Sequence, residues 1–281
     1  VRVAVAGVAS GVRRSIVDLL VAEGHDVVTA PRGSQRPALD GCRALVHVPD
    51  QLPHTLGARW AQRWPAHDHL HAHGVHRLVD QACAAGVRRI VHLSGSWLYA
   101  DQGDDWVSEE SPICVTAATE PLAVGEMAVQ DAADCVRTSV VLRLGQVVGD
   151  TPLTRWTLRA AAAGRPYGVG DPDGFAHLVH SDDVATAVLA SLEAPSGIYN
   201  VGAAPVRRAD VVSAYAAAVD RGTGHFLGPV TRRLAGSRIE PFERSLRVSS
   251  DRFAAATGWS PRHATFSRSW FEAAENLLVL R

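Results

Sequence analysis

The chain has 281 residues, 47% of them hydrophobic and 20% charged, with a formal net charge of −1. That balance suits a globular protein with a substantial core and leaves no basic face for nucleic acid. No apolar run reaches the roughly 18 residues of a membrane span. All 28 basic residues are arginine, so no chemistry that needs a lysine ammonium is open to this protein. Four cysteines (Cys42, Cys83, Cys114 and Cys135) lie far apart, in no metal-ligand spacing. With no signal-peptide pattern at the start, they read as reduced thiols and point to a cytoplasmic location.

In chain order, the apolar run Val1–Ala6 ends in Gly7 and reads as a strand. Ser15–Ala22 has helical spacing and stops at Gly24; Asp26–Ala30 and Ala44–Val48 are the second and third strands. His76–Ala85 is helical, Arg89–Leu93 a fourth strand, and the segment from Val136 to Leu144 holds a fifth. Helices are predicted over Leu122–Ala133, Leu153–Ala163 and Asp182–Leu192, and a late strand over Gly197–Val201. Strands alternating with helices of this length predict a doubly wound parallel sheet, an α/β Rossmann-type fold. After about residue 203 the alternation stops, and a mixed tail ends in an amphipathic helix over Ser267–Leu278. Residues 1–203 are therefore expected to form the core, with segment 150–180 contributing to the substrate pocket. Residues 204–281 should be mainly a small C-terminal substrate lobe.

Several segments in register resemble the extended short-chain dehydrogenases/reductases, in their epimerase/dehydratase branch. Gly7-Val8-Ala9-Ser10-Gly11-Val12-Arg13-Arg14 stands where that family has its glycine-rich turn, and Ala85–Ser94 resembles the approach to its active-site strand. Glu109-Glu110-Ser111-Pro112, Arg143–Gly149, Val179–Ala185, Ile198–Gly202 and Thr257–Pro261 follow in the family's order. The resemblance implies a nicotinamide dinucleotide and a Ser-Tyr-Lys catalytic set. This sequence departs from both.

Counted from Tyr99, the catalytic Ser/Thr position is Gly95, flanked by Ser94 and Ser96. Counted from Gly125-Glu126, the Tyr-x-x-x-Lys positions are Ala118 and Leu122; a second register gives Glu120 and Val124. In either register the dyad is absent. In the family the tyrosine relays a proton to or from the substrate oxygen, and the lysine lowers its pKa and holds the nicotinamide ribose. Loss of such a base typically removes a factor of about 10²–10⁴.

The fingerprint is altered as well. Gly7 keeps the first glycine's role, Ser10 holds the second position with Gly11 one residue beyond, and Arg13 holds the third. Arg32, just after the second strand, is the residue type an NADP 2′-phosphate would select. Only about a dozen residues separate that strand from Ala44–Val48, where the family fits another strand and helix. The cofactor expected is therefore none, or NADP. The arginine with which family members grip a sugar nucleotide's diphosphate falls on Ala176.

The histidine-rich stretch His67–His76 has i,i+4 pairs, but no cysteine or downstream partner completes a metal site, so no metal is expected. The acidic loop Asp101–Glu110 follows the active-site strand, and one of its carboxylates is a candidate acid or base. Trp97 and Tyr99 suggest an aromatic wall for a small, partly apolar substrate. His180 and Asp183 are expected to hold their own turn. Three functions remain. First comes a non-redox acid–base enzyme of cyclase, dehydratase or isomerase type, acting on a small metabolite through Glu120, Ser96, Tyr99 and His177. The second is an NAD(P)-dependent reductase or epimerase with substitute groups, and the third a non-catalytic dinucleotide or ligand sensor. Fold alone does not choose among them. A small-molecule partner is expected, without nucleic acid or membrane, and a homodimer is compatible with all three.

Overall fold

The computed structural model describes residues 1–7, 10–29, 38–49, 64–235, 238–272 and 274. The elements run β1 (Arg2–Gly7), α1 (Gly11–Ala22), β2 (Asp26–Thr29), β3 (Ala44–Val48), α2 (Trp64–Ala84), β4 (Arg89–Gly95), β5 (Trp106–Val107), α3 (Glu120–Asp131), β6 (Thr138–Leu144) and β7 (Gln146–Val148). They continue with α4 (Pro152–Ala162), β8 (Phe175–Ala176), β9 (Leu178–His180), α5 (Ser181–Ser191), β10 (Gly197–Val201), β11 (Val206–Arg207), α6 (Arg208–Ala218), α7 (Pro229–Ala235), β12 (Arg247–Val248) and α8 (Asp251–Thr257).

Six parallel strands make the central sheet in the order β10-β6-β4-β3-β1-β2. Apart from the edge strand β2, their apolar runs are buried on both faces, as a sheet covered by helices on two sides requires. One core layer packs α1 and α5 through Val12, Ile16, Leu20, Val184 and Val188; the other packs α2 and α3 through Val75, Leu78, Val79, Ala128 and Val129. From β1 the chain moves outward to β2, then returns past β1 to β3, so the sheet's switch point lies between β1 and β3. Ligands of open α/β sheets bind at the carboxyl ends of the strands at such a point.

A separate cluster joins α4 and α6 to the tail through Leu158, Tyr215, Trp270 and Phe271. Two short pairs tie the loops to the tail, β5 with β12 in parallel and β8 with β11 antiparallel. The regular tail is richer than the sequence reading, holding α6, α7 and α8 as well as a 3₁₀ turn at Arg268–Phe271. In α6 a run of alanines blurs the contrast between apolar and polar faces, and two-residue strands leave no alternation to read. Of the tail helix expected over Ser267–Leu278, the described residues show that 3₁₀ turn, with Glu272 and Ala274 helical beyond it.

The thiol reading needs one correction. Cys83, near the end of α2, and Cys135, just past α3, come together with Cα atoms 5.5 Å apart and are joined as a disulfide, while Cys42 and Cys114 are free. Fifty-two residues separate the pair in sequence, so no spacing rule reveals it. Among the described residues no helix is long and apolar enough to cross a membrane.

Candidate functional site

At the switch point β1 ends in Gly7 with φ +125°, a backbone that favours glycine. A Cβ there would stand 1.7 Å from the Val48 carbonyl oxygen, so β1 and β3 meet this closely only because the residue is glycine. Ser10 caps α1, its Oγ accepting the Arg13 backbone N–H at 3.2 Å. Gly11 opens the helix, and a Cβ on it would lie 3.0 Å from the Asp150 carbonyl oxygen. The side chain of Arg13, the misfit of the fingerprint, folds back so that Nη1 donates to the Gly7 carbonyl at 2.7 Å. A fixed cation thus sits at the end of β1, beside the N-terminus of α1. Arg32 lies outside the described residues.

The second half of the site lies at the ends of β4, β6 and β10. Ser94, on β4, is buried and donates to Glu126 Oε1 at 2.6 Å. Glu126 in turn takes a bidentate pair from Arg143 of β6, with Nε at 3.0 and 3.2 Å and Nη2 at 2.7 Å. Both charged side chains are buried. Burial alone would lower the Arg143 pKa, but the carboxylate outweighs it and the net shift is upward. Arg143 also lies over the Tyr99 ring, 4.8 Å from its centroid.

Tyr99 is fully buried and donates to Asn200 Oδ1 of β10 at 2.7 Å. Burial raises its pKa above the ordinary phenol value, against a smaller opposing effect of Arg143. Ser96 is fully buried and its Oγ has no hydrogen-bond partner among the described residues. The same holds for both ring nitrogens of His177, whose pKa burial lowers to about 3, so the ring is neutral. His177 fits because residue 202 is glycine; a Cβ there would lie 2.0 Å from Nε2. Ser96, Tyr99 and His177 are therefore all buried, Ser96 and Tyr99 just past the end of β4 and His177 against Gly202, just past the end of β10. Glu120 stands apart, exposed at the start of α3, and makes no side-chain hydrogen bond among the described residues. Ala118 is buried and Leu122 half-buried.

Gly95 closes β4 in ordinary extended backbone, φ −137°. The space that a side chain at this position would take is filled by Trp97, whose Cε3 is 2.7 Å from the site of a Cβ. Trp97 in turn packs against Phe242 from the tail, ring centroids 5.3 Å apart.

Most of the acidic loop is engaged in its own architecture. Asp104 pairs with Arg207, Glu109 accepts the Asn200 backbone N–H at 2.7 Å, and Glu110 pairs with Arg252. Glu109, Glu110 and Arg252, with Trp106, Ser108, Ser249 and Asp251, line an open cavity of about 500 Å³. Ser108's hydroxyl, first among several groups, lowers the Glu110 pKa. The segment around His180 holds more than its own turn. His180 caps α5, but buried Asp183 reaches across to accept the backbone N–H groups of Arg262 and His263 and to meet His263 Nδ1 at 3.1 Å. His76 is exposed on α2, and the side chains of the earlier histidines in that stretch lie outside the described residues.

Two structural groups were missed in the sequence reading. The Glu126–Arg143 pair lies in quoted segments, but nothing there says that the two meet. Arg244, 2% exposed, comes from the unpatterned tail. Its Nη1 donates to the carbonyls of Trp97, Tyr99 and Cys114 at 2.8–2.9 Å, and its other nitrogens pair with Glu240. This one guanidinium fixes the turn that carries Trp97 and Tyr99.

Residues 3–202 match the model of the NAD dependent epimerase/dehydratase family. A "3-diazoavenalumate denitrifying reductase" from a Streptomyces species is 28% identical over 301 residues, covering 94% of this chain and 97% of that protein. Among solved structures, human epimerase family protein SDR39U1 with NADPH superposes with a TM-score of 0.80 at 21% identity, over 98% of this chain and 100% of that one. MoeE5 in complex with UDP-glucose and NAD gives 0.78 at 21% identity, over 100% and 99%. At that identity the solved structures establish the fold.

Proposed function

Because this chain belongs to the NAD dependent epimerase/dehydratase family, we propose that it is a nicotinamide-dependent reductase whose acceptor expels a leaving group as it takes up hydride, so that no proton relay is needed. The observation that carries this reading is a contrast within one site. Gly7, the Ser10 cap and Arg13 offer an anion a seat, while the tyrosine–lysine dyad is absent in either register (Ala118 and Leu122, or Glu120 and Val124) and Gly95, in the hydroxyl's position, is covered by Trp97.

The cradle fits a pyrophosphate. The first turn of a helix leaves N–H groups without intrahelical acceptors. Ser10 takes that of Arg13, and those of Gly11 and Val12 remain for an anion at the positive end of α1. Gly7 and Gly11 let the backbone approach, and Arg13 adds a charge beside them. Gly7, Ser10, Gly11 and Arg13 would therefore hold the dinucleotide, which when bound supplies a hydride. Leu122, or Val124 in the second register, stands where the family has the lysine that grips the ribose, so the hold on the nicotinamide end is weaker.

A carbonyl that accepts hydride becomes an alkoxide and needs a proton; a diazonium carbon does not. There the new C–H bond forms from the hydride pair, the C–N bond breaks, and its electrons leave with N₂. Charge balances without any acid or base. The Streptomyces relative, named as a denitrifying reductase of a diazo compound, supports this acceptor class. The acid–base reading ranks behind it because its four candidates offer no working base. His177 is held neutral down to about pH 3, Tyr99 is bound to Asn200, Ser96 has no partner to activate it, and Glu120 is exposed at the start of α3.

The test is turnover of an arenediazonium salt with NADH or NADPH carrying deuterium at C4, in ordinary water. Expected are one N₂ per nicotinamide oxidised and deuterium at the carbon that lost nitrogen. Product labelled only when D₂O is the solvent, or no thermal stabilisation by any of the four nicotinamide dinucleotides, overturns the reading. Saturable dinucleotide binding without turnover of any acceptor would leave the sensor.

A further inference from the structure

We infer that Trp97 replaces the family's catalytic hydroxyl with a stacking surface, so that this site selects a planar aromatic acceptor. The inference deepens the reductase reading and rests on it.

Gly95 has backbone angles of φ −137° and ψ 146°, which any residue adopts, so the glycine is not required by the turn. What a side chain would meet is the indole: Cε3 at 2.7 Å and Cζ3 at 3.1 Å from an ideal Cβ. Real Cβ contacts are essentially never that short, so serine at 95 and the indole in its present seat exclude each other. The glycine is thus the complement of the tryptophan, and together they exchange a hydroxyl for a ring.

The backbone that carries the ring is fixed, since the Trp97 carbonyl accepts from buried Arg244, and the ring itself is tilted at 57° against Phe242 from the 3₁₀ turn Glu240–Phe242. Trp97 and Phe242 are both half-buried, so each keeps surface open beyond the contact they make with each other. Aromatic rings in offset or tilted contact gain attraction beyond their area, and a saturated ring of similar size lacks that gain. A sugar nucleotide would find no phosphate grip at Ala176.

The experiment compares two nitriles, each with a C≡N group isoelectronic with the N≡N⁺ of a diazonium but inert to hydride displacement. One is planar 4-cyanophenol, the other saturated 4-hydroxycyclohexanecarbonitrile. Binding to the wild-type protein, W97L, W97F and G95S is measured by calorimetry, each fold verified by circular dichroism, with NADPH binding measured in parallel. The wild type should prefer the planar probe by about threefold to about tenfold. W97L and G95S should bring the ratio near one while leaving NADPH affinity within about twofold, and W97F should keep most of the preference. An unchanged ratio in folded W97L, or no preference in the wild type, overturns the inference. If W97L does not fold, G95S alone decides, since it displaces the ring without deleting it. If the planar preference stands but no dinucleotide binds any variant, the reductase reading fails and the aromatic surface survives it.

Discussion

Two stretches of the sheet's carboxyl edge, on either side of β3, differ in what they carry. At β1 and α1 the elements of a phosphate cradle remain: a glycine that only glycine can be, a capped helix start, and an added arginine. At β4 and α3 the scaffold is equally well built, with Ser94, Glu126 and Arg143 locked together beneath the surface. Yet the family's tyrosine–lysine dyad is absent in either register, and an indole fills the space at Gly95, the hydroxyl's position. On the proposed reading, holding a dinucleotide and handling a proton are separate tasks, and this chain keeps the first and discards the second because its acceptor disposes of its own charge.

The sharpest way to break that contrast is at the pair beneath the β4 stretch. Glu126→Ala leaves Arg143 buried without a partner and should cost about 3–5 kcal/mol in urea denaturation. Full stability in that variant would mean that the pair does not support the site. Gly7→Ala attacks the other stretch. With a Cβ 1.7 Å from a carbonyl oxygen and φ at +125°, about 3 kcal/mol of stability should be lost, together with the thermal shift given by NADPH. Retained dinucleotide binding would detach the cradle from the cofactor.

A smaller effect separates structure from acid–base chemistry at His177. Its pKa falls from about 6.5 in the unfolded chain to about 3 when folded, so the unfolded chain binds more protons across that window. The stability of the neutral ring is fully present above about pH 6.5 and is lost progressively as pH falls towards 3. That amounts to about 2 kcal/mol between pH 7 and pH 5. His177→Gln should flatten this acid slope in denaturation midpoints; an unchanged slope would place the titration elsewhere. Smallest is Tyr99→Phe, which removes the 2.7 Å bond to Asn200 and should cost about 1–2 kcal/mol with little change in turnover. A loss of about 10² or more in kcat would restore Tyr99 as a proton donor and undo the contrast.

How much was legible beforehand follows the same division. Gly7, Ser10 and Gly11 lie within a few residues of one another, so the need for a small residue at Gly7 could be read from order alone, whereas the cap formed by Ser10 appeared only in the structure. The alternation of strands and helices likewise reported the parallel sheet, because buried strands and covering helices have distinct periods. Ser96, Tyr99 and His177 were named from sequence, but their burial and their missing or fixed partners depend on contacts between distant segments, such as Tyr99 with Asn200 and His177 with Gly202. Arg244 and the bridge between Cys83 and Cys135 carried no local signal at all.

By itself, the sequence determined one chemical fact completely: with no lysine anywhere, the family's proton relay is impossible in any fold this chain adopts. Only the tertiary structure decided what stands in its stead. Whether Arg13 points away or towards the cradle, and whether the gap at Gly95 is empty or filled, depends on long side chains with several rotamers each. Contacts that only the folded chain supplies select among those rotamers: the Gly7 carbonyl for Arg13, and the Phe242 ring for Trp97, whose backbone Arg244 fixes.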